Sequence, residues 1–331
     1  MPTKLIEFEF ETKYEVLRNF PGNLLANLKL WLPEGDKSVT EIVIMINGFL
    51  DGAMEERVNN RLLNQTYYYK FIAEELNKQN IAAILLPLPF HFDRGADFSN
   101  QGERKFAPLE RLRENGSFLY YGGYDQTKSD IHKLIKAIHN DKEKFGLGDS
   151  EIKIHLLGYS LGGAAAMGAA AELQEKVSSL SVLFSNWKIA SLDPNILGNT
   201  FKPFKFSAED WSRVLSELER VRGSCDPVFQ SIMWGDNNLS PWFSSCPQRI
   251  LFIQGLQDET FPVGMALKNN LEFYTYIKKL NDESASNHQS GSKKECAFIF
   301  PSLSHLHTNL SPSSKKQIAG YIASFVANPA I

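Results

Sequence analysis

The chain has 331 residues, of which 43% are hydrophobic and 12% aromatic, and its formal net charge is −3. Such a chain can bury a large hydrophobic core, so extensive disorder is excluded. The basic residues form no stripe that could follow a nucleic-acid backbone, and no apolar run approaches the roughly 18 residues of a membrane-spanning helix. Nucleic acid is therefore not expected as a partner, and no integral membrane segment is expected.

The first predicted elements are strands. Residues 4–11 and 24–32 alternate apolar and polar side chains, which is typical of antiparallel strands with one face in water. The next predicted strand, residues 41–46, is nearly all apolar, as expected of a strand that is covered on both faces. It ends at Asn47 and Gly48, which are turn-forming residues.

Helices and strands alternate through the rest of the chain. The predicted helices have apolar residues at helical spacing and comprise residues 66–79, 128–140, 161–177 and 315–327. The predicted buried strands are residues 81–86, 151–157, 179–184, 249–254 and 296–300. This alternation predicts an α/β fold, in which a mostly parallel central sheet is flanked by helices.

Two regions interrupt the alternation. Residues 186–245 contain no clear strand and one strong helix signal at 208–222, with Ser207 as its expected N-cap. We interpret 186–245 as a mainly helical cap or lid inserted over the edge of the sheet. Residues 281–294 have no aliphatic side chain larger than alanine and are expected to form a mobile surface loop.

The predicted insertion is rich in aromatic residues. Four of the five tryptophans of the chain lie within it, together with several phenylalanines. An aromatic lid would favour a substrate with an apolar acyl or aromatic group, whereas the same residues could simply form the insertion's own small core. Both interpretations stay open at this point. The core domain is then expected to consist of residues 1–185 and 246–331.

The N-terminal segment and the cysteines suggest a cellular location. Glutamates interrupt the first residues of the chain, where a signal peptide would need a continuous apolar region. Cys225, Cys246 and Cys296 are too few for a disulfide framework. A reducing cytoplasm is therefore expected, although export without an N-terminal signal and a bridge between Cys225 and Cys246 both stay open.

The most specific chemical signal is the sequence Gly158-Tyr159-Ser160-Leu161-Gly162. It follows a predicted buried strand and opens a helix of small residues. A serine on such a sharp turn is held in strained backbone geometry that exposes its hydroxyl, and only glycine fits where the flanking chain passes close by. This pattern also arises by chance in loops rich in glycine and serine, but the strand before it and the helix after it favour a nucleophile.

This context resembles the nucleophile elbow of the α/β-hydrolase superfamily, and the order of elements matches over roughly residues 20–327. The resemblance implies a Ser-Asp-His triad in that chain order. Asp258 lies in the loop after strand 249–254, in the position of the triad acid. His305 lies after strand 296–300 and is the expected general base. His307 is the alternative, since the same loop could present either ring.

The resemblance also implies an oxyanion hole made of two backbone N–H groups. One belongs to Leu161, which follows the nucleophile at the start of a helix. The other is expected from Phe49, in the turn after strand 41–46. Relatives commonly have His-Gly at this turn, whereas this chain has Asn47 before its glycine.

Other polar residues have simpler interpretations. Arg94 could bind an acidic group or pair with Asp93 or Asp97, and the structural role is favoured. His155 lies within a strand and is interpreted as a core histidine. The pair His305 and His307 could bind zinc, but no further ligand cluster accompanies it, so no metal site is predicted.

These residues predict a serine hydrolase that cleaves a carboxylic ester through an acyl-enzyme intermediate, without a cofactor. Its expected partner is a small-molecule ester with an apolar acyl group. A thioesterase, a serine peptidase or an acyltransferase would use the same triad. A binding protein that kept the fold without turnover is an alternative of another class, and the complete set of Ser160, Asp258 and His305 argues against it.

Overall fold

Eight strands form one sheet in the part of the chain that the structure describes. The computed structural model describes residues 3–12, 25–35, 38–49, 67–91, 94, 107–185, 188–202, 205–235, 239–256, 263–286, 294–302 and 311–328. The strands are β1 (Thr3–Glu11), β2 (Leu25–Pro33), β3 (Glu41–Ile46), β4 (Ala82–Leu86), β5 (Lys153–Tyr159), β6 (Ser179–Leu183), β7 (Arg249–Ile253) and β8 (Glu295–Ile299). Their order across the sheet is β1-β2-β4-β3-β5-β6-β7-β8.

Most of this sheet is parallel. β1 pairs with β2, and β2 with β4, in antiparallel fashion. The strands from β4 through β3, β5, β6 and β7 to β8 are all parallel to their neighbours. The predicted N-terminal hairpin and the predicted parallel sheet are thus confirmed.

Helices connect these strands. They are α1 (Tyr67–Asn77), α2 (Ala107–Glu114), α3 (Gln126–Asn140), α4 (Leu161–Leu173), α5 (Pro194–Phe201), α6 (Ala208–Val221), α7 (Pro227–Trp234), α8 (Ser240–Ser245), α9 (Val263–Ser286) and α10 (Pro312–Ala327). A π-helix, Leu119–Asp125, runs directly into α3. Short 3₁₀ helices lie at Glu143–Phe145, Gln174–Lys176, Ile189–Ser191 and Arg222–Ser224.

The sheet separates two hydrophobic layers. In β3, Val43 and Met45 pack with α1 and α10 on one face, while Ile42 and Ile44 pack with α3 and α4 on the other. All four side chains are buried. Because side chains alternate between the faces of a strand, a strand that is covered on both sides must be apolar at every position, as β3 is.

The segment between β6 and β7 is helical and contains more helices than the sequence analysis predicted. The predicted helix is confirmed as α6, and Ser207 caps it: its hydroxyl accepts from the Asp210 N–H, and the Asp210 carboxylate accepts from the Ser207 N–H. The short helices α5, α7 and α8 were not predicted. Asp193 and Asp226, each followed by proline, cap α5 and α7, and this Asp-Pro signal could have located them.

The prediction of a loop at residues 281–294 is wrong for residues 281–286. α9 continues to Ser286, so residues 281–286 are helical. The buried side chains Phe273 and Ile277 anchor the helix earlier, and adding polar turns to an anchored helix costs little. Lys279 and Glu283 support this end as an i,i+4 ion pair with an N–O distance of 3.6 Å. Residues 287–293 lie outside the described part of the chain.

The helices between β6 and β7 are attached firmly to the core. The Asp226 carboxylate accepts hydrogen bonds from the Tyr124 hydroxyl at 2.8 Å and from Lys128 Nζ at 2.9 Å. The Asp226 N–H donates to the Tyr120 hydroxyl at 2.8 Å. Burial raises the pKa of Tyr120 to about 12, while Lys128 outweighs burial and lowers the pKa of Asp226. One carboxylate thus joins α7 to the π-helix and to α3.

The aromatic residues of this segment form part of the core. Trp242 donates from Nε1 to the Met167 carbonyl of α4 at 2.9 Å. The buried aromatic residues of the segment are Phe201, Phe206, Trp211, Phe229, Trp242 and Phe243. The core interpretation therefore holds for these residues. Trp187 and Phe204 lie outside the described residues.

Two further sequence expectations can be compared with the structure. Cys225, Cys246 and Cys296 are free, so Cys225 and Cys246 are not bridged here. Among the described residues, no helix combines the length and the apolar character that are needed to cross a membrane.

Candidate active site

Ser160 lies in a strained turn between β5 and α4. Its backbone angles are φ 51° and ψ −116°, a conformation that a residue with a side chain rarely adopts. Such strain costs about 1 to 3 kcal/mol and persists only where the surrounding structure enforces it. The Ser160 N–H donates to the Leu183 carbonyl at 2.8 Å, and the Ser160 carbonyl accepts from the Ser185 hydroxyl at 2.8 Å. Hydrogen bonds to the end of β6 thus support the strained residue on both sides.

The two glycines of the motif are required by close backbone approach. A Cβ at Gly158 would lie 2.3 Å from the Gly162 carbonyl oxygen, and a Cβ at Gly162 would lie 2.3 Å from the Asn47 carbonyl oxygen. Real Cβ atoms do not come so close to backbone oxygens. The packing around Ser160 therefore requires glycine at both positions, as the sequence predicts.

The turn after β3 lies directly against this elbow. The close approach of Asn47 to Gly162 places Phe49 and Leu161, the two predicted oxyanion donors, on neighbouring chain segments. Leu161 is the first residue of α4, so its N–H has no acceptor within the helix. Over the described ranges, neither the Phe49 N–H nor the Leu161 N–H has a hydrogen-bond acceptor. Leu161 directly follows Ser160, and the turn that carries Phe49 packs against Gly162, two residues after Ser160.

The predicted acid and base, Asp258 and His305, lie outside the described residues, as does the alternative base His307. The chain segments that lead to them are described. The Gln254 N–H donates to the Ile299 carbonyl at 3.0 Å, and the Leu256 N–H donates to the Pro301 carbonyl at 2.9 Å. The two chains therefore leave the carboxyl edge of the sheet side by side, at the edge that also carries Ser160.

The fold of the chain is similar to that of several solved structures. The S-formylglutathione hydrolase FrmB of Staphylococcus aureus is 13% identical, and the match covers 99% of this chain and 100% of that one with a TM-score of 0.57. Esterase Est22 is 13% identical over 98% of this chain and 81% of its own, with a TM-score of 0.56. Brefeldin A esterase, a bacterial homologue of human hormone sensitive lipase, is 9% identical over 98% and 76%, with a TM-score of 0.56.

The chain has the α/β-hydrolase fold. This likeness concerns the fold alone, since the identities are far below the level at which activity carries over. No protein-family model and no curated protein matches the chain.

Arg94 has a structural role in this α/β-hydrolase fold. Its side chain is fully buried and pairs with the equally buried Asp130 of α3 at 2.7 Å. It also donates to the Pro87 carbonyl at 2.8 Å and to the Thr12 hydroxyl at 3.2 Å. The favoured structural interpretation agrees with these contacts, but Asp130 was not among the predicted partners. Asp93 and Asp97, which were, lie outside the described residues.

His155 is a buried histidine within the hydrolase sheet, as predicted. Its Nδ1 lies 2.8 Å from the Ser179 hydroxyl, and its Nε2 lies 3.4 Å from a Glu41 carboxylate oxygen. Burial lowers the pKa of His155, and the proximity of His155 and Lys153 lowers the pKa of Glu41 to about 2. This serine, histidine and carboxylate lie at the amino ends of their strands, at the sheet edge opposite Ser160, and both His155 and Ser179 are inaccessible.

A small cavity lies among the described residues near the elbow. The described residues beside Ser185, among them Phe252, Gln254 and Phe298, enclose a cavity of about 20 Å³, which is room for about one water molecule. Within the described ranges, no cluster of histidine, cysteine and carboxylate side chains could bind a metal ion. The histidine pair considered as a zinc site, His305 and His307, lies outside those ranges.

Proposed function

We propose that the protein is a serine hydrolase that cleaves a carboxylic ester through a Ser160, His305 and Asp258 triad. The observation that carries this proposal is the strained conformation of Ser160, which hydrogen bonds at the end of β6 maintain. A structural serine has no need of such strain. The α/β-hydrolase fold supports the proposal, because the structures described above that share it include esterases.

The roles of the residues follow from their chemistry. Ser160 Oγ attacks the carbonyl carbon of the ester while His305 accepts its proton. Asp258 orients the imidazole and stabilises its charged form. The Phe49 and Leu161 N–H groups donate to the tetrahedral oxyanion, where removal of one such donor typically costs about 10²- to 10³-fold in kcat. The alcohol then leaves with the proton from His305, and water hydrolyses the acyl-enzyme.

The substrate, the cap and the location belong to the same proposal. We infer a small ester as the substrate; the preference for an apolar acyl group rests on the sequence alone. We also infer a cap role for residues 186–245, which form helices between β6 and β7, two of which, α7 and α8, pack against α4. The three free cysteines are consistent with the cytoplasmic location expected from the sequence.

A labelling experiment tests the nucleophile. A fluorophosphonate probe should label the wild type at Ser160, as identified by peptide mass mapping, and should not label Ser160→Ala. Ser181→Ala is the matched control, because Ser181 is a buried serine within β6 and its loss should leave labelling intact. A folded wild type that the probe does not label would contradict the proposal and favour a binding protein.

Kinetics then assign the base and the reaction. Against a p-nitrophenyl ester, we expect His305→Ala to lose at least about 10³-fold in kcat, while His307→Ala keeps most of the activity. The reverse result would transfer the role of base to His307. Rates on acetyl, butyryl and octanoyl esters, on the matching thioesters and on a peptide amide would identify the substrate class. Turnover of only the thioester or the amide would contradict the proposed reaction.

A further inference from the structure

The turn that follows β3, residues 47–49, is called here the oxyanion turn. We propose that Asn47 and Tyr69 are positioning residues that hold the Phe49 N–H of the oxyanion turn in place for the oxyanion. This inference rests on the proposed function, since it concerns how the same site is built. Neither side chain is expected to touch the substrate, because both are buried.

Asn47 ties the oxyanion turn to the segment after β4. Its Oδ1 accepts from the Leu88 N–H at 2.7 Å, and its Nδ2 donates to the Gly48 carbonyl at 2.8 Å. The side chain is fully buried, so each of these groups depends on its partner for a hydrogen bond. Asn47, which stands where relatives commonly have histidine, thus connects the oxyanion turn to the segment after β4.

Tyr69 holds the same turn from α1. Its hydroxyl accepts from the Gly48 N–H at 3.3 Å, and its ring is buried between α1 and the sheet. The Gly48 carbonyl and the Gly48 N–H are therefore both engaged. Among the N–H groups of Gly48 and Phe49, that of Phe49 is the one left without an acceptor in the described part of the chain.

The conformation of the oxyanion turn also affects the nucleophile side of the site. The Asn47 carbonyl oxygen lies 2.3 Å from the position that a Cβ of Gly162 would take, so there is no spare room between the turn and α4. The Phe49 ring contacts the buried His91 ring edge to face, with centroids 5.7 Å apart. A turn released from Asn47 or Tyr69 would shift the Phe49 N–H relative to Leu161, and displacements of about 1 Å are enough to reduce catalysis strongly.

The test uses two variants of the full chain and two matched controls. Asn47→Ala removes both bonds of the side chain, and Tyr69→Phe removes one acceptor. The controls are Asn77→Ala and Tyr68→Phe. Asn77 is a buried asparagine at the far end of α1 that bonds to Thr3, and Tyr68 is a buried tyrosine that packs against Tyr69.

The first readout separates kcat from KM on p-nitrophenyl butyrate. We expect Asn47→Ala to lose about 10- to 100-fold in kcat and Tyr69→Phe about 3- to 10-fold, with KM changed by less than about threefold. Both controls should keep kcat within about twofold, even where Asn77→Ala lowers the melting temperature.

The second readout is affinity for a trifluoromethyl ketone, which adds to a serine hydroxyl and forms a tetrahedral oxyanion. The affinity should fall in parallel with kcat in both variants, while affinity for the matching methyl ketone, which stays largely unreacted, should not change. A purely structural role would lower the melting temperature and leave these ratios as they are in the wild type.

The outcomes distinguish this inference from the proposed function. If the folded wild type neither hydrolyses esters nor reacts with fluorophosphonate, the proposed function fails. If the wild type is active and both variants keep wild-type kcat and inhibitor affinity, the inference alone is overturned. Should Asn47→Ala not fold, Asn47→Asp replaces it. This variant keeps an acceptor for Leu88 but puts a charge against the Gly48 carbonyl, and it should lose at least about 10-fold in kcat.

Discussion

The close approach of α4 to the end of β3 makes Gly162→Ala an informative substitution. The new Cβ would lie 2.3 Å from the Asn47 carbonyl oxygen and 2.8 Å from the Ile46 carbonyl oxygen. Both obstacles are backbone atoms, so no side-chain rotation can relieve the overlap. An ordinary carbon-oxygen contact is longer by about 1 Å, and we therefore expect the turn and the helix to separate by about that distance.

The expected magnitude is a balance of two effects. Forcing extra volume into a packed region typically costs about 1 to 3 kcal/mol, and more where the backbone must move. Replacing glycine by alanine within a helix returns about 0.5 to 1 kcal/mol. The net loss of unfolding free energy should be about 1 to 2 kcal/mol. Because a 1 Å displacement of catalytic groups costs on the order of 10²-fold, activity should fall far more than stability.

Gly320→Ala is the matched control. Gly320 also lies within a helix, α10, but a Cβ at this position would meet no atom within 4 Å. Urea unfolding followed by circular dichroism should show a small gain in stability for Gly320→Ala and a loss for Gly162→Ala. The rate of fluorophosphonate labelling should be unchanged in Gly320→Ala and reduced in Gly162→Ala.

Two results would refute this reasoning. If Gly162→Ala unfolds at the same urea concentration as Gly320→Ala and is labelled at the wild-type rate, the close approach has no consequence. If Gly162→Ala loses stability but keeps its labelling rate, the oxyanion turn and the nucleophile are not coupled as described.

Three further changes test the contacts that hold the fold. Arg94→Met should lower the unfolding free energy by about 3 to 5 kcal/mol in urea titrations, because it leaves the buried Asp130 carboxylate without its ion-pair partner. Adding Asp130→Asn to this variant should recover part of the loss. A double variant no better than the single one would contradict this. Asp226→Asn keeps an N-cap acceptor for α7 but loses the charge that pairs with Lys128 of α3. Calorimetry should therefore show a lower melting temperature, corresponding to a loss of about 1 to 3 kcal/mol in unfolding free energy. An unchanged melting temperature would count against the role of Asp226 in attaching α7 to the core. Glu41→Gln tests a pKa. The proximity of His155 and Lys153 lowers the pKa of Glu41 from 4.5 to about 2, so its ionised form contributes stability above pH 4.5 that is lost as the pH falls toward 2. The deficit of Glu41→Gln should be about 1 to 3 kcal/mol near neutral pH and should shrink below pH 4.5, and a deficit independent of pH would contradict the pairing.

Local patterns predicted most of the sheet. The strands β3 through β7 are recognisable because chain segments covered on both faces are apolar at nearly every position. The edge strand β8 is half-buried, but it too is mostly apolar. The elbow was recognised because Gly158 and Gly162 are needed wherever a strand turns sharply into a helix around Ser160. The short helices α5, α7 and α8 escaped prediction because they carry too few turns for an apolar period to show.

The loop prediction for residues 281–294 failed for a related reason. Composition describes how a segment would behave alone, whereas the last turns of α9 continue a helix whose earlier part is buried. Residues 281–286 are helical because they continue a helix that is already anchored, despite their polar composition.

The amino-acid sequence by itself determined the α/β alternation, the strained serine and the residues that flank it, because these follow from chain-local rules of periodicity and backbone sterics. Only the tertiary structure decided which distant groups meet. Arg94 pairs with Asp130, 36 positions away, and Asn47 bonds to Leu88, 41 positions away. A buried polar group must find a partner, but the pattern around it does not say which one, since that depends on how helices and loops pack across the sheet.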